Sequence, residues 1–116
     1  MANDFQTISA AAGTAYAAFV DATTDSSKEK TVHAIYIANV DGANSADVSL
    51  KLVDASGGAV TGGTILHEVP VPAGSTLVIE KPINLACGAG AAGRALQIKA
   101  SAAGDIEATA SVLEMS

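Results

Sequence analysis

The stretch TVHAIYIANV-DGANS-ADVSLKLV, Thr31 to Val53, decides the fold class. Its first segment, Thr31–Val40, places Val32, Ala34, Tyr36, Ala38 and Val40 on one side and His33, Ile35, Ile37 and Asn39 on the other. A period of two belongs to a strand, because successive Cβ atoms point to opposite faces. Both faces are partly apolar, so the segment reads as a central strand. Asp41–Ser45 supplies turn chemistry, since Asx side chains bond to their own backbone and Gly tolerates unusual dihedrals. Ala46–Val53 alternates again, with Val48, Leu50 and Leu52 expected inward and Asp47, Ser49 and Lys51 outward. The two segments are expected to pair as a β-hairpin.

The same period runs outward in both directions. Thr64–Val71 is the next strand, with Ile65, His67, Val69 and Val71 opposed to Leu66 and Glu68. Pro70 and Pro72 cannot donate ladder hydrogen bonds, which places the end of this strand at a sheet edge. Pro72–Ser75 reads as a turn with Gly74 at positive φ. Thr76–Glu80 and Ile83–Leu85 are short strands parted by Lys81-Pro82. Ala95–Ala100 points Leu96 and Ile98 one way. In the last strand Ile106, Ala108, Ala110 and Val112 share a face. Thr14–Asp21 is the expected first strand, and Ser9–Ala12 could form a helical turn. About eight strands at short, even spacing predict an all-β protein, a compact antiparallel β-sandwich of immunoglobulin-like or jelly-roll type. The expected core is Leu50, Leu52, Val69, Leu77, Ile79, Leu96, Ile98 and Val112, the large apolar members of their strands.

Composition bounds the rest. The chain has 116 residues, enough for one domain. It carries as many alanines as Val, Ile and Leu together, and no Trp. Net charge is −6, from 12 acidic against 6 basic residues, and the basic ones are scattered. Nucleic-acid binding needs a clustered positive footprint, and an anionic membrane attracts one, so neither partner is expected. No stretch is apolar enough to span a bilayer. Ile8–Val20 lacks the preceding positive charge of a secretory signal. The single cysteine, Cys87, permits no internal disulfide and no cysteine-based zinc site.

Each motif that carries chemistry elsewhere has a plainer reading here. Gly88-Ala89-Gly90-Ala91-Ala92-Gly93 matches G-x-G-x-x-G, but that motif needs a helix after it and a βαβ unit around it. The residues that follow alternate as a strand, so the run reads as a loop. His33 and His67 could share a metal with an acid across adjacent strands. They are read instead as partly exposed strand residues, with Glu68 expected on the face opposite His67. Cys87 has no basic neighbour in sequence and reads as a small buried hydrophobe. Asp41, Asn44 and Asp47 offer oxygen ligands but lack the EF-hand pattern, and turn chemistry accounts for them. A sugar site would want aromatic platforms, and the two tyrosines, one of them expected inward, offer little. No catalytic residue, cofactor or metal is expected, and the protein is not expected to be an enzyme.

Three segments carry a family resemblance: VHAIYIANVDGANSADVSLKLVD, VPVPAGSTLVIEKPINL and LQIKASAAGDIEATASVLEMS. Together they make Thr31–Ser116 resemble small virion structural proteins of tailed bacteriophages. The resemblance implies a β-sandwich with a place in the particle. That place is the head, as a decoration (cement) protein, or else the neck or tail. For a decoration protein it implies the major capsid protein as partner and a homotrimer or other homo-oligomer. It also implies location on the outer capsid surface after synthesis in the host cytoplasm. It brings no catalytic residue. A carbohydrate-binding or adhesin module is the more distant alternative.

Residues 1–13 fall outside the resemblance. They are small, polar or Ala-rich, with Phe5 and Ile8 as their sizeable apolar anchors. They are expected to be an arm outside a sandwich of residues 14–116, with Phe5 and Ile8 docking on the capsid or on an adjacent copy. Deleting residues 2–12 should then leave the isolated fold intact.

Overall fold

The computed structural model describes residues 3–116 as nine strands and one short 3-10 turn. In chain order the strands are β1 (Asn3–Ala12), β2 (Ala17–Val20), β3 (Glu29–Asn39), β4 (Ala46–Asp54) and β5 (Ala59–Val71). They continue with β6 (Thr76–Ile79), β7 (Ile83–Leu85), β8 (Arg94–Ala100) and β9 (Ile106–Met115). One sheet has the order β1-β9-β3-β6, with β7 beside β6 on the same flank of β3; the other has the order β2-β8-β4-β5. Every pairing is antiparallel. If β6 and β7 are counted as one interrupted strand, the chain has eight positions. Their order, 1-8-3-6 over 2-7-4-5, is that of a jelly roll. Of the two expected topologies, the jelly roll is the one formed.

The core lies between the sheets. Ile35, Ile37, Leu50, Leu96, Ile98 and Ile106 are at most 1% exposed, flanked by Val20, Val32, Val48, Val71 and Val112. Each such side chain contributes about 1.5–3 kcal/mol relative to exposure. The central placement of β3 holds, since β9 lies on one side of it and β6 and β7 on the other. The edge placement of Pro70 holds too, because β5 ends its sheet. Gly74 has φ +69°, as the turn required.

Four expectations are corrected. Thr31–Val40 and Ala46–Val53 are not a hairpin. They lie in opposite sheets, and the Asp41–Ser45 segment carries the chain across the end of the sandwich. Alternation shows that each strand faces a core, but not from which side.

The faces of β3 also differ from simple alternation. Val32 pairs with Val112 but Ala34 pairs with Ser111, so His33 is the extra residue of a β-bulge. The bulge turns both Val32 and Ile35 inward, three positions apart, and leaves Tyr36 half exposed. Tyr16 is not in the core either.

The expected core is half right. Leu50, Leu96, Ile98 and Val112 are buried, whereas Leu52, Val69, Leu77 and Ile79 are partly buried at its margin. Ser49, expected outward, is buried, and its hydroxyl accepts the backbone N–H of Glu68 at 2.9 Å.

The expected arm is a strand. From Asn3 to Ala12 the chain pairs with β9 over ten consecutive positions without a register shift. Ala12 belongs to the core, and Ile8 and Ala10 pack against it. The segment looked too poor in large side chains to build a core element. In a sheet the backbone ladder does that work, and small alanines suffice at the rim. Deleting residues 2–12 would therefore strip one flank of β9 and uncover Ala108 and Ala110.

Candidate functional site

The residues with chemical potential are dispersed by the fold. His33 stands on β3 and His67 on β5, in different sheets, both exposed. Among the described residues no group of three or more His, Cys, Asp or Glu is placed to hold a metal. Glu68 is not opposite His67. It adopts φ +50°, which breaks the alternation and brings its carboxylate to 3.9 Å from His67 Nε2 in open solvent. An exposed pair of this kind contributes little.

The Gly88–Gly93 run is a loop containing a three-residue 3-10 turn, Gly90–Ala92. No helix follows it, so no helix N-terminus is available for a phosphate. Gly90 supplies a positive φ of 58°, whereas Gly88 and Gly93 serve packing. A Cβ on Gly93 would collide with the Gly88 carbonyl oxygen and with Ala55 Cβ. Arg94 folds back to donate to the carbonyls of Ala91 and Gly93 at 2.8 and 2.9 Å, closing the loop on itself.

Cys87 is partly buried, and its thiol lies 3.7 Å from the Leu85 carbonyl. Burial pushes its pKa up, assisted by Glu114, which is the opposite of what a nucleophile needs. Beside it a shallow cleft of about 420 Å³ is lined by Lys28, Lys30, Thr31, Asn84 and Cys87. Its two lysines are already engaged. Lys30 is 6% exposed and donates to the Asp21 carbonyl at 2.7 Å and to Thr23 Oγ1 at 3.4 Å. Glu114 accepts from Thr23 at 3.0 Å and from Lys28 at 3.3 Å. This network ties the loop between β2 and β3 to the end of β9.

Asp41 and Asn44 do turn work. Asp41 accepts from the Ala43 N–H at 2.9 Å and from Asn44 Nδ2 at 3.4 Å, and these bonds hold its carboxyl below the usual value. Asp47 lies apart from them, in a small depression of about 190 Å³ with Thr14, Ser49, Glu68, Lys99 and Ser101. Two side chains that the sequence did not single out hold this region. Asn39, 2% exposed, donates to the carbonyls of Asn44 and Val71, both at 2.9 Å, and accepts the Asp41 N–H at 2.9 Å. Because Asn39 ends β3 and Val71 ends β5, it bolts one sheet to the other. Its legible signal is a polar residue in an apolar run immediately before an Asx-rich turn. Tyr16 lies under two lysines, with Lys51 Nζ 4.0 Å and Lys99 Nζ 4.8 Å from its ring centroid.

The proposed docking pair is separated. Phe5 is 75% exposed on the outer face of β1, while Ile8, three residues on, points to the core. Odd and even positions of a strand cannot present one surface. The outer face around Phe5 carries Thr7, Ser9 and Ala11 on β1 and, on β9, Leu113 directly across from Phe5, then Ser111, Thr109 and, at the far end, Glu107. It is rich in hydroxyls with Glu107 as its one charge, and among the described residues its outermost strand has one unpaired edge.

No protein-family model matches the chain, and no curated protein matches it. Among solved structures the fold is similar to a chain in the structure of the infectious bursal disease virus Gx strain, with a TM-score of 0.49 and 14% identity. The alignment covers 97% of this chain and 31% of that one, so this chain spans under a third of the length of the protein it matches.

Proposed function

We propose that this chain is a structural protein of a tailed-phage virion, and within the virion a decoration protein of the outer head surface. The observation that carries the reading is the run of strand and turn patterns from Thr31 to Ser116 that resembles such proteins. The fold is compatible with it. Its working chemistry would be backbone pairing and packing, and the side chains with reactive potential lie apart or are spent on structure. On this reading the protein catalyses nothing and needs no metal or cofactor. Its partner is the major capsid protein. Each copy adds buried surface across joints between capsid subunits, and many modest contacts sum because the particle tethers them.

Purified protein mixed with capsids lacking decoration tests this. The expected result is saturable binding in proportion to capsid subunits and a higher temperature for capsid rupture. Occupancy confined to one vertex would move the protein to the neck or tail. Failure to bind any part of the particle would end the virion reading.

A further inference from the structure

The four outer flanks of the sandwich differ in how they are protected against pairing with another strand. Exposed edges are natural templates for association, and proteins blunt them with short strands, bulges, prolines or charges. β2 has only four residues and an irregular register. β5 is long but shifts register against β4 three times, carries Gly62-Gly63 and Pro70, and kinks at Glu68. The flank formed by β6 and β7 is cut into four and three residues, parted by Lys81-Pro82. β1 has none of these guards. It runs ten residues in regular register, without proline or glycine, and Asp4 is its one charge.

We infer that the free edge of β1 pairs antiparallel with β1 of a second copy of this chain about a two-fold axis, making one sheet continuous through both copies. The strand is self-complementary in that arrangement. Its outward row runs from large to small: Phe5, Thr7, Ser9, Ala11. With the axis at Thr7 or at Ile8, Phe5 of each copy lies across from Ser9 or Ala11 of the other, a large side chain against a small one. Asp4 then faces Ala10 or Ala12, so the two carboxylates stay far apart. Each copy carries a net charge of −6, and the joint falls on the neutral stretch from Phe5 to Ala12. A parallel arrangement would set Asp4 beside Asp4 and Phe5 beside Phe5, and would not close. Two-fold self-pairing satisfies both edges at once and leaves no further template.

The pairing does not rest on the virion reading, and its test contains no capsid. Sedimentation velocity on the full chain should give twice the 11.4 kDa chain mass. T7K/S9K places lysines on exposed positions that meet across the axis. It should sediment at the single-chain mass and melt like the wild type diluted below its dissociation constant, while T61K on the β5 edge should remain paired. Hydrogen exchange on the unsubstituted protein is the second readout: within residues 5–11, the alternate amides that point away from β9 should lose protection on dilution below the dissociation constant, while those bonded to β9 keep theirs. A wild-type monomer at about 1 mM, a trimer, or a dimer indifferent to T7K/S9K would each overturn the proposal. So would unprotected free-edge amides in β1 at high concentration.

Discussion

Replacing Asn39 by Ala should be among the most damaging single changes outside the apolar core. The side chain is 2% exposed and all three of its bonds are 2.9 Å long. Ala leaves the Val71 carbonyl without a partner in a buried setting, at about 1–3 kcal/mol. The Asn44 carbonyl and the Asp41 N–H lie nearer the surface, where water can partly replace the lost partner. They add about 0.5–1 kcal/mol each. The total is about 2–5 kcal/mol, a large share of the roughly 5–15 kcal/mol that holds a domain of this size. Urea denaturation followed by far-UV circular dichroism measures it as a lower midpoint at unchanged m-value. Asn44→Ala is the control. It removes a side chain but keeps the backbone carbonyl that Asn39 uses, so its midpoint should stay close to wild type. An Asn39→Ala variant within about 0.5 kcal/mol of wild type would refute the view that this residue bolts the two sheets together.

Ile98→Ala, which truncates a residue 1% exposed, should cost about 2–5 kcal/mol. Leu52→Ala, at the core margin, should cost clearly less in the same urea titration. Gly93→Ala drives a methyl into the Gly88 carbonyl and Ala55 and should lower the thermal midpoint sharply. Gly42→Ala, with open space around it, should leave it within the scatter of surface substitutions. Hydrogen bonds lower the pKa of Asp25 (from the Ser27 hydroxyl), Asp41 (from the Ala43 N–H) and Asp54 (from the Ser56 hydroxyl) below their unfolded values. The folded state therefore binds fewer protons. The stability these groups supply is complete above the unfolded value of about 3.9 and is lost as pH falls through their lowered folded values. D25N/D41N/D54N should flatten the acid limb of a urea-midpoint profile, and an unchanged limb would show that other groups set it.

The legibility of this protein divides along a physical line. Alternation is local, so β7 matches its expected bounds, and β4 and β8 match to within a residue at one end. The inward rows Leu96–Ile98 and Ile106–Val112 were readable for the same reason. So were Gly74 and the edge placement of Pro70, because positive φ and a missing N–H are properties of single residues. His33 and His67 are exposed strand residues, but nothing local could place them in different sheets, and Cys87, expected buried, is only partly so. Tertiary structure alone decided what depends on distant partners. A strand's apolar face does not reveal from which side it meets the core, so Thr31–Val53 resembled a hairpin while its halves lie in opposite sheets. The bulge at His33 comes from β9, some eighty residues away, and it reversed the faces of β3. Residues 3–12 looked like an arm because side chains report burial, whereas it is the β9 backbone, at the other end of the chain, that makes them a strand. Asn39 follows the same rule. Its three bonds exist only once the ends of β3 and β5 have been brought together, and no period in the sequence encodes that meeting.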